Sequence, residues 1–102
     1  MAKRIPEDLL AHMAATFRML ADVSRLAILH CLIEDGEMSV GQVVEATGRN
    51  QANVSKHMKL LAEAEILVRR KEGLKVFYRL GGRVWEQVCR LVSSSLRNGR
   101  GE

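Results

Sequence analysis

The stretch SVGQVVEATGRNQANVSKHMKLL, residues 39–61, decides the fold of this chain. Ser39, followed three residues later by Gln42, has the capping-box pattern, which predicts that a short helix begins there and ends at Gly48. Only Gly48-Arg49-Asn50 separates this helix from a second helical pattern. Two helices joined by a tight turn that contains glycine predict a helix-turn-helix.

The second helix of this motif has an apolar side and a polar side. Val54, Met58 and Leu61 recur at helical spacing and are expected to hold the helix on the rest of the fold. Amides and cations elsewhere around the helix can reach base edges and phosphates in a DNA major groove. The residues expected to contact DNA here are Arg49, Gln51, Asn53, Ser55, Lys56, His57 and Lys59. Many surface helices are polar on one side, so the helix alone leaves the DNA-binding and the merely solvated interpretations open.

A β-hairpin follows the helix-turn-helix. From Val68 to Leu80 the spacing of apolar residues changes from helical to alternating, and Glu72-Gly73 lies midway, where glycine suits a tight turn. The basic residues on and beside the tip are Arg69, Arg70, Lys71 and Lys75, of which Arg69, Lys71 and Lys75 are expected to contact DNA. Cations on a flexible hairpin can neutralise phosphates, so the hairpin favours nucleic acid as the partner.

Further helix signals lie on both sides of these elements. Pro6 and the two carboxylates behind it predict the start of a first helix, because carboxylates there complement the helix dipole. Asp22 can cap a second helix that stops at Gly36. Apolar residues at helical spacing over residues 84–96 predict a last helix.

These elements predict a mainly α fold with a β-hairpin wing, a winged helix-turn-helix of order α-α-α-α-β-β-α. No repeat or linker divides the sequence, so residues 1–102 are expected to form a single domain. Its ordered core is expected to span residues 7–97, with residues 1–5 and 98–102 flexible.

The distribution of charge supports a nucleic-acid partner. Residues 49–83 hold nine Lys or Arg against three Asp or Glu, whereas residues 1–48 hold four against seven. Basic charge is thus concentrated in the segment that carries the helix-turn-helix and the hairpin. The sequence has no apolar run long enough to cross a bilayer and no signal-peptide pattern, so we expect a cytoplasmic protein without a membrane partner. It also lacks a phosphate-binding glycine loop and a nucleophile paired with a base, so we do not expect an enzyme.

Three stretches closely resemble the signature segments of the ArsR/SmtB family. They are LADVSRLAIL at residues 20–29, NVSKHMKLL at residues 53–61 and GLKVFYRL at residues 73–80. The resemblance covers about residues 9–96 and implies a homodimeric repressor that binds double-stranded DNA at a near-palindromic operator. It also implies a dimer interface built from the first and last helices, although each apolar residue there could equally belong to the core. The candidate interface residues are Leu9, Met13, Phe17, Trp85, Val88 and Val92.

This sequence departs from the metal sites of that family. Many family members that sense soft metals carry Cys-Val-Cys at the start of the third helix, where this chain has Ser39-Val40-Gly41. Zinc sensors of the family use Asp, His and Glu on the last helix. The residues at the positions that align with these ligands are Gly82, Val84, Ser95 and Asn98. We therefore expect no metal site and no cofactor.

The two cysteines, Cys31 and Cys89, leave two interpretations open. A third class of the family senses persulfide or oxidant through one Cys in the second helix and one near the end of the last helix. Cys31 and Cys89 lie in those helices, but the family's second-helix Cys aligns with His30, and Cys89 lies well before the expected C-terminal position. Structural cysteines are the expectation, and a thiol-sensing repressor is the alternative. A winged helix that binds an acidic protein instead of DNA is a further alternative.

Overall fold

The computed structural model describes residues 4–99, which form five helices and a three-stranded antiparallel sheet. In chain order the elements are α1 (Glu7–Leu20), α2 (Val23–Asp35), β1 (Met38–Ser39), α3 (Val40–Thr47), α4 (Gln51–Glu63), β2 (Leu67–Glu72), β3 (Lys75–Leu80) and α5 (Arg83–Gly99). The predicted order of helices and hairpin is confirmed, and β1 is an addition. Helix α5 includes residues 98 and 99, which the sequence predicts to be flexible. The helix continues this far because no helix-breaking residue precedes Gly99 within it. The other expectations of flexibility fall partly on residues 1–3 and 100–102, which lie outside the described residues.

Side-chain caps fix where the helices of the helix-turn-helix begin. The Gln42 amide N–H donates to Ser39 Oγ (3.2 Å), and the Ser39 amide N–H donates to Gln42 Oε1 (2.8 Å), which completes the predicted capping box. Asn50 caps α4, where its Oδ1 accepts from the Asn53 N–H at 3.1 Å. The sequence therefore sets the start of both helices through local hydrogen bonds.

The sheet joins the hairpin to the start of α3. Its strand order is β1-β3-β2, and Met38 of β1 lies opposite Tyr78 of β3. A strand of two residues has no detectable period, so the sequence pattern could not reveal it. The hairpin turns at Gly73-Leu74, and only Gly73 has a positive φ (62°), which matches a turn with glycine in the first central position.

The core lies between α2, α3, α4 and the sheet. Its fully buried side chains are Ile28, Leu29, Val43, Val54, Met58, Leu61, Ile66, Leu67 and Tyr78. Helix α1 contributes only Leu20 to the buried core, and the described part of α5 contributes no buried residue. Both helices consequently leave large apolar side chains in contact with solvent. Across residues 4–99, none of the helices is both long and apolar enough to cross a membrane.

A close backbone approach occurs at Gly81, directly after β3. Its N–H donates to the Ile66 carbonyl at 2.8 Å, in the connection that leads from α4 into β2. A Cβ atom built on Gly81 would lie 2.7 Å from the Glu65 carbonyl oxygen, which is backbone and cannot turn away. Glycine at residue 81 is therefore required by packing.

We expect Gly81→Ala to lower the free energy of unfolding by about 1–3 kcal/mol, the usual range for overpacking. The matched control is Gly82→Ala, because a Cβ there meets no heavy atom within 4 Å. That variant is expected to be neutral or to gain up to about 1 kcal/mol, since alanine restricts the unfolded chain. Urea denaturation of the two variants measures the difference, and equal stabilities would contradict the close approach.

Candidate nucleic-acid interface

Helix α4 is held with one side in the core and the other in solvent. Val54, Met58 and Leu61 are buried on its inner side, at exposures of 0–1%. The outward side carries a shallow depression lined by Ala52, Ser55, Lys56, Lys59, Leu60 and Glu63. The apolar stripe thus fixes which side chains of α4 can meet another molecule.

Of the sequence-predicted residues, Ser55, Lys56 and Lys59 line this depression. Gln51 and Asn53 precede it and point in different directions, because residues two apart on a helix do not face each other. Ser55 is half-buried and the other four are exposed. Gln51 and Asn53 lie in the first turn, and the two lysines follow in the next two turns. Asn53, whose amide can pair with an adenine edge, therefore lies one turn before Lys56, which can reach guanine or phosphate.

Two other predicted residues, Arg49 and His57, turn towards α2 instead. Both are half-buried. Arg49 Nε donates to the Ser24 hydroxyl at 3.3 Å, and His57 Nδ1 lies 3.3 Å from the guanidinium of Arg25. These partners are 25 and 32 residues away in the sequence, so no local pattern could have identified them.

The wing divides its predicted cations between its two faces. Residues opposite each other in an antiparallel pair share a face, and side chains alternate along a strand. Arg69 lies opposite Tyr78 and Lys71 lies next along the same face, while Lys75 lies opposite Glu72 on the other face. All three cations are exposed. Arg69 and Lys71 therefore form one cationic pair, and Lys75 stands beside a carboxylate.

Arg70, the remaining member of the basic cluster, anchors the wing to the loop before β1. Its Nη2 donates to Glu37 Oε1 at 2.8 Å and its Nη1 donates to Glu72 Oε2 at 2.6 Å. The guanidinium also lies 4.9 Å from the centre of the Phe77 ring, within the range of a cation–π contact. Its charge is already matched by two carboxylates, so it adds little to the positive surface.

The ion pairs of Arg70 with Glu37 and Glu72 shift the pKa values of Glu37 and Arg70. The hydrogen bond from Arg70 holds the pKa of Glu37 below its ordinary value; desolvation opposes it, and the positive charges of Arg70 and Arg79 add to the lowering. The same hydrogen bonds to Glu37 and Glu72 raise the pKa of the Arg70 guanidinium. The ionised carboxylate of Glu37 is thus the form that the folded wing favours.

Both cysteines are free thiols in apolar surroundings. Cys31 is buried in the core, and Cys89 is half-buried on α5 and packs against the same core. Burial raises the pKa of both thiols, with the carboxylate of Asp35 adding to the effect at Cys31. A higher pKa lowers the fraction of reactive thiolate near neutral pH.

An apolar groove runs between α1, α2 and α5, beside Cys89. Its apolar lining includes Phe17, Leu20, Leu26, Ile33, Val88, Val92 and Leu96. Of the candidate dimer-interface residues, Phe17, Val88 and Val92 meet in this groove. Leu9, Phe17 and Val92 are exposed, whereas Met13, Trp85 and Val88 are half-buried. No three His, Cys, Asp or Glu side chains within the described range 4–99 are grouped so as to hold a metal ion.

We expect the pKa of Glu37, measured from its carboxyl carbon by NMR, to lie below the ordinary glutamate value and to rise on Arg70→Gln. A carboxyl whose pKa is lowered by folding stabilises the fold above its ordinary pKa of about 4, and this contribution disappears as pH falls through the lowered value. The stability difference between the wild type and Glu37→Gln should therefore shrink in acid. Arg90→Gln, which removes a remote cation on α5, is the control, and an unchanged Glu37 pKa in Arg70→Gln would contradict the anchor.

Comparisons with known proteins agree with this geometry. The family described as "Helix-turn-helix domain" matches residues 20–70, half of the chain. The chain is 36% identical over 94 residues to the HTH-type transcriptional regulator KmtR of Mycobacterium tuberculosis, covering 92% of this chain and 69% of that protein. It is 35% identical over 81 residues to an arsenical resistance operon repressor of Escherichia coli, covering 79% and 69% of the two chains.

A solved structure shows the same fold. It is the homodimeric winged helix-turn-helix DNA-binding domain of a possible ArsR-family transcriptional regulator from Mycobacterium bovis, with a TM-score of 0.78 and 30% identity. The alignment covers 94% of this chain and 90% of that one. Fold, sequence relatives and the exposed polar side of α4 lead to one assignment: this chain belongs to the ArsR/SmtB family of winged helix-turn-helix transcriptional regulators.

Proposed function

We propose that this protein is a sequence-specific repressor that binds double-stranded DNA as a homodimer in the cytoplasm, with neither metal nor cofactor. The observation that carries the proposal is the outward side of α4. Asn53, Lys56 and Lys59 are exposed there at three-residue spacing, and Gln51 is exposed in the first turn, on a helix whose inner side is buried in the core. A helix of this kind fits a major groove, where its amides and cations can read base edges.

The wing supports the same partner. Arg69 and Lys71 are two exposed cations on one face of the hairpin, and Lys75 adds a cation beside the turn. Such cations contact phosphates, which position a protein on the duplex without reading its sequence. Specificity is therefore assigned to α4, and salt-dependent affinity to the lysines of α4 and the cations of the wing.

The exposed apolar faces of α1 and α5 support a homodimer. Phe17 is 58% exposed and Val92 is 53% exposed, although both are large and apolar. A second copy that packs on these faces would remove them from water, and the relative from M. bovis is described as homodimeric. Two copies related by a two-fold axis present two α4 helices, which suits a near-palindromic operator with half-sites about 34 Å apart.

Two alternatives receive less support. Thiol sensing through Cys31 and Cys89 requires reactive thiolates, and burial works against them at both positions. A protein-interaction role would need charge alone, whereas Gln51 and Asn53 add the amides that base reading requires. We therefore propose that the two cysteines have a structural role and that the partner is DNA.

We expect Lys56→Gln to weaken binding to all duplexes and to reduce the slope of log affinity against log salt by about 1, because a phosphate contact is lost. Gln51→Ala is expected to lower the preference for the operator at one base position, by about 1–3 kcal/mol, and to leave the salt slope unchanged. Arg18→Gln matches the charge change of Lys56→Gln at an exposed residue of α1 that does not line the apolar groove, and should leave both quantities near wild type.

Fluorescence anisotropy with a duplex selected by the wild-type protein and with random DNA measures these quantities. Equal affinity for the two duplexes at moderate salt would contradict sequence-specific binding. The same measurement after oxidant treatment should be unchanged if the cysteines are structural, and loss of binding reversed by a reductant would favour the thiol alternative.

We expect Val92→Glu to dissociate the homodimer, because it places a charge in an apolar interface that cannot solvate it. Val23→Glu is the matched control, since Val23 is 75% exposed and lies at the start of α2, outside the groove. Sedimentation velocity over a range of concentrations distinguishes monomer from dimer. A dimer that persists unchanged in Val92→Glu would place the interface elsewhere.

A further inference from the structure

The side chain of Arg25 joins three helices at one point. Arg25 lies in the first turn of α2 and is half-buried. Its Nε donates to the Met19 carbonyl oxygen of α1 at 2.6 Å. Its Nη1 lies 3.3 Å from His57 Nδ1 on α4. A single guanidinium therefore connects a helix of the proposed dimer interface with the helix that is proposed to read DNA.

The contact with α1 provides a hydrogen-bond donor for a backbone carbonyl at the C-terminal end of that helix. The last carbonyls of a helix have no intrahelical donor and carry the negative end of the helix dipole, so a cation there is stabilising. The backbone of Arg25 is fixed as well, because its N–H donates to Asp22 Oδ1, the cap of α2, at 3.0 Å. That hydrogen bond, and then the positive charge of Arg25, lower the pKa of Asp22 against the opposing effect of desolvation. Hydrogen bonds thus hold both the backbone and the guanidinium of Arg25.

The contact with α4 has a defined direction. Arginine has only donors, so the hydrogen bond requires His57 Nδ1 to be the acceptor and leaves the ring proton on Nε2. His57 is adjacent to Lys56 and one turn after Asn53, both of which are exposed for DNA contact. Because a helix rotates about its axis as a unit, a restraint on His57 also restrains the direction of these neighbouring side chains.

We infer that Arg25 is a positioning residue for DNA reading, which fixes the orientation of α4 through His57 and ties it to the C-terminal end of α1. The inference rests on the proposed function. It reassigns His57, which the sequence suggested as a phosphate contact, to the inner side of the DNA-reading helix. Movement of α1 at the dimer interface can then change the direction in which α4 presents its side chains.

The decisive variants are Arg25→Gln, His57→Gln and the double substitution, with Arg18→Gln as a charge-matched control on α1. Arg25→Lys tests geometry without loss of charge, because one ammonium cannot span the two acceptors as the guanidinium fork does. Each variant is titrated with a duplex that the wild-type protein has selected from a random pool, and with random DNA, at several salt concentrations. Thermal unfolding of each variant is recorded under the same conditions.

A positioning role predicts that Arg25→Gln and Arg25→Lys both lose operator preference, by about 3- to 30-fold, with the salt slope unchanged. The double substitution should cost no more than the larger single one, since both residues act through one contact. A salt slope reduced by about 1 in Arg25→Gln would instead make Arg25 a direct phosphate contact. Additive losses, or a lower Tm with unchanged operator preference, would also overturn the inference.

Failure of the proposed function can be told apart from failure of this inference. A wild-type protein that selects no duplex would overturn the repressor proposal. In that case the contact between Arg25 and His57 is tested in the DNA-free protein. Arg25→Gln is expected to shift the amide resonances around residues 53–57 of α4, whereas Arg18→Gln is expected to leave them unchanged. Unchanged α4 resonances in Arg25→Gln would overturn the link between Arg25 and α4.

Discussion

The burial of Val54, Met58 and Leu61 is the constraint on which the rest of this structure depends. These three side chains occupy one side of α4 and are enclosed by α2, α3 and the sheet. Burying an apolar side chain of this size is worth about 1.5–3 kcal/mol relative to leaving it exposed. Rotating α4 would expose the stripe and bury lysines, so the polar side of the helix has one available direction, which is outward.

The wing needs a separate restraint because it extends beyond the core. Its residues from Arg69 onwards are exposed in β2, and hydrogen bonds to β3 alone leave a two-stranded ribbon marginally stable. The short strand β1 adds a third strand at its base, and Arg70 connects the ribbon to Glu37. One cation of the basic cluster therefore holds the wing in place, while Arg69, Lys71 and Lys75 remain exposed.

The helices α1 and α5 show the opposite situation, in which apolar surface has no partner inside the chain. Only Leu20 of α1 joins the buried core, and none of α5 does. A chain of 102 residues can enclose only part of its apolar surface, so the second layer of a small fold is often completed by another copy. Arg25 contacts both α1 and α4, so it lies where the proposed dimer interface can be coupled to the proposed DNA-reading helix.

The sequence by itself determined the helices, the hairpin and the polar side of α4, because capping hydrogen bonds and apolar periodicity act over a few residues. Ser39 and Gln42 define the start of α3 without help from the rest of the chain. Only the tertiary structure decided which partner each of these cations contacts. In the sequence Arg70 and Arg25 resemble any other arginine, yet Glu37 lies 33 residues from Arg70 and His57 lies 32 residues from Arg25. Contacts at such separations arise from packing, which no local pattern records.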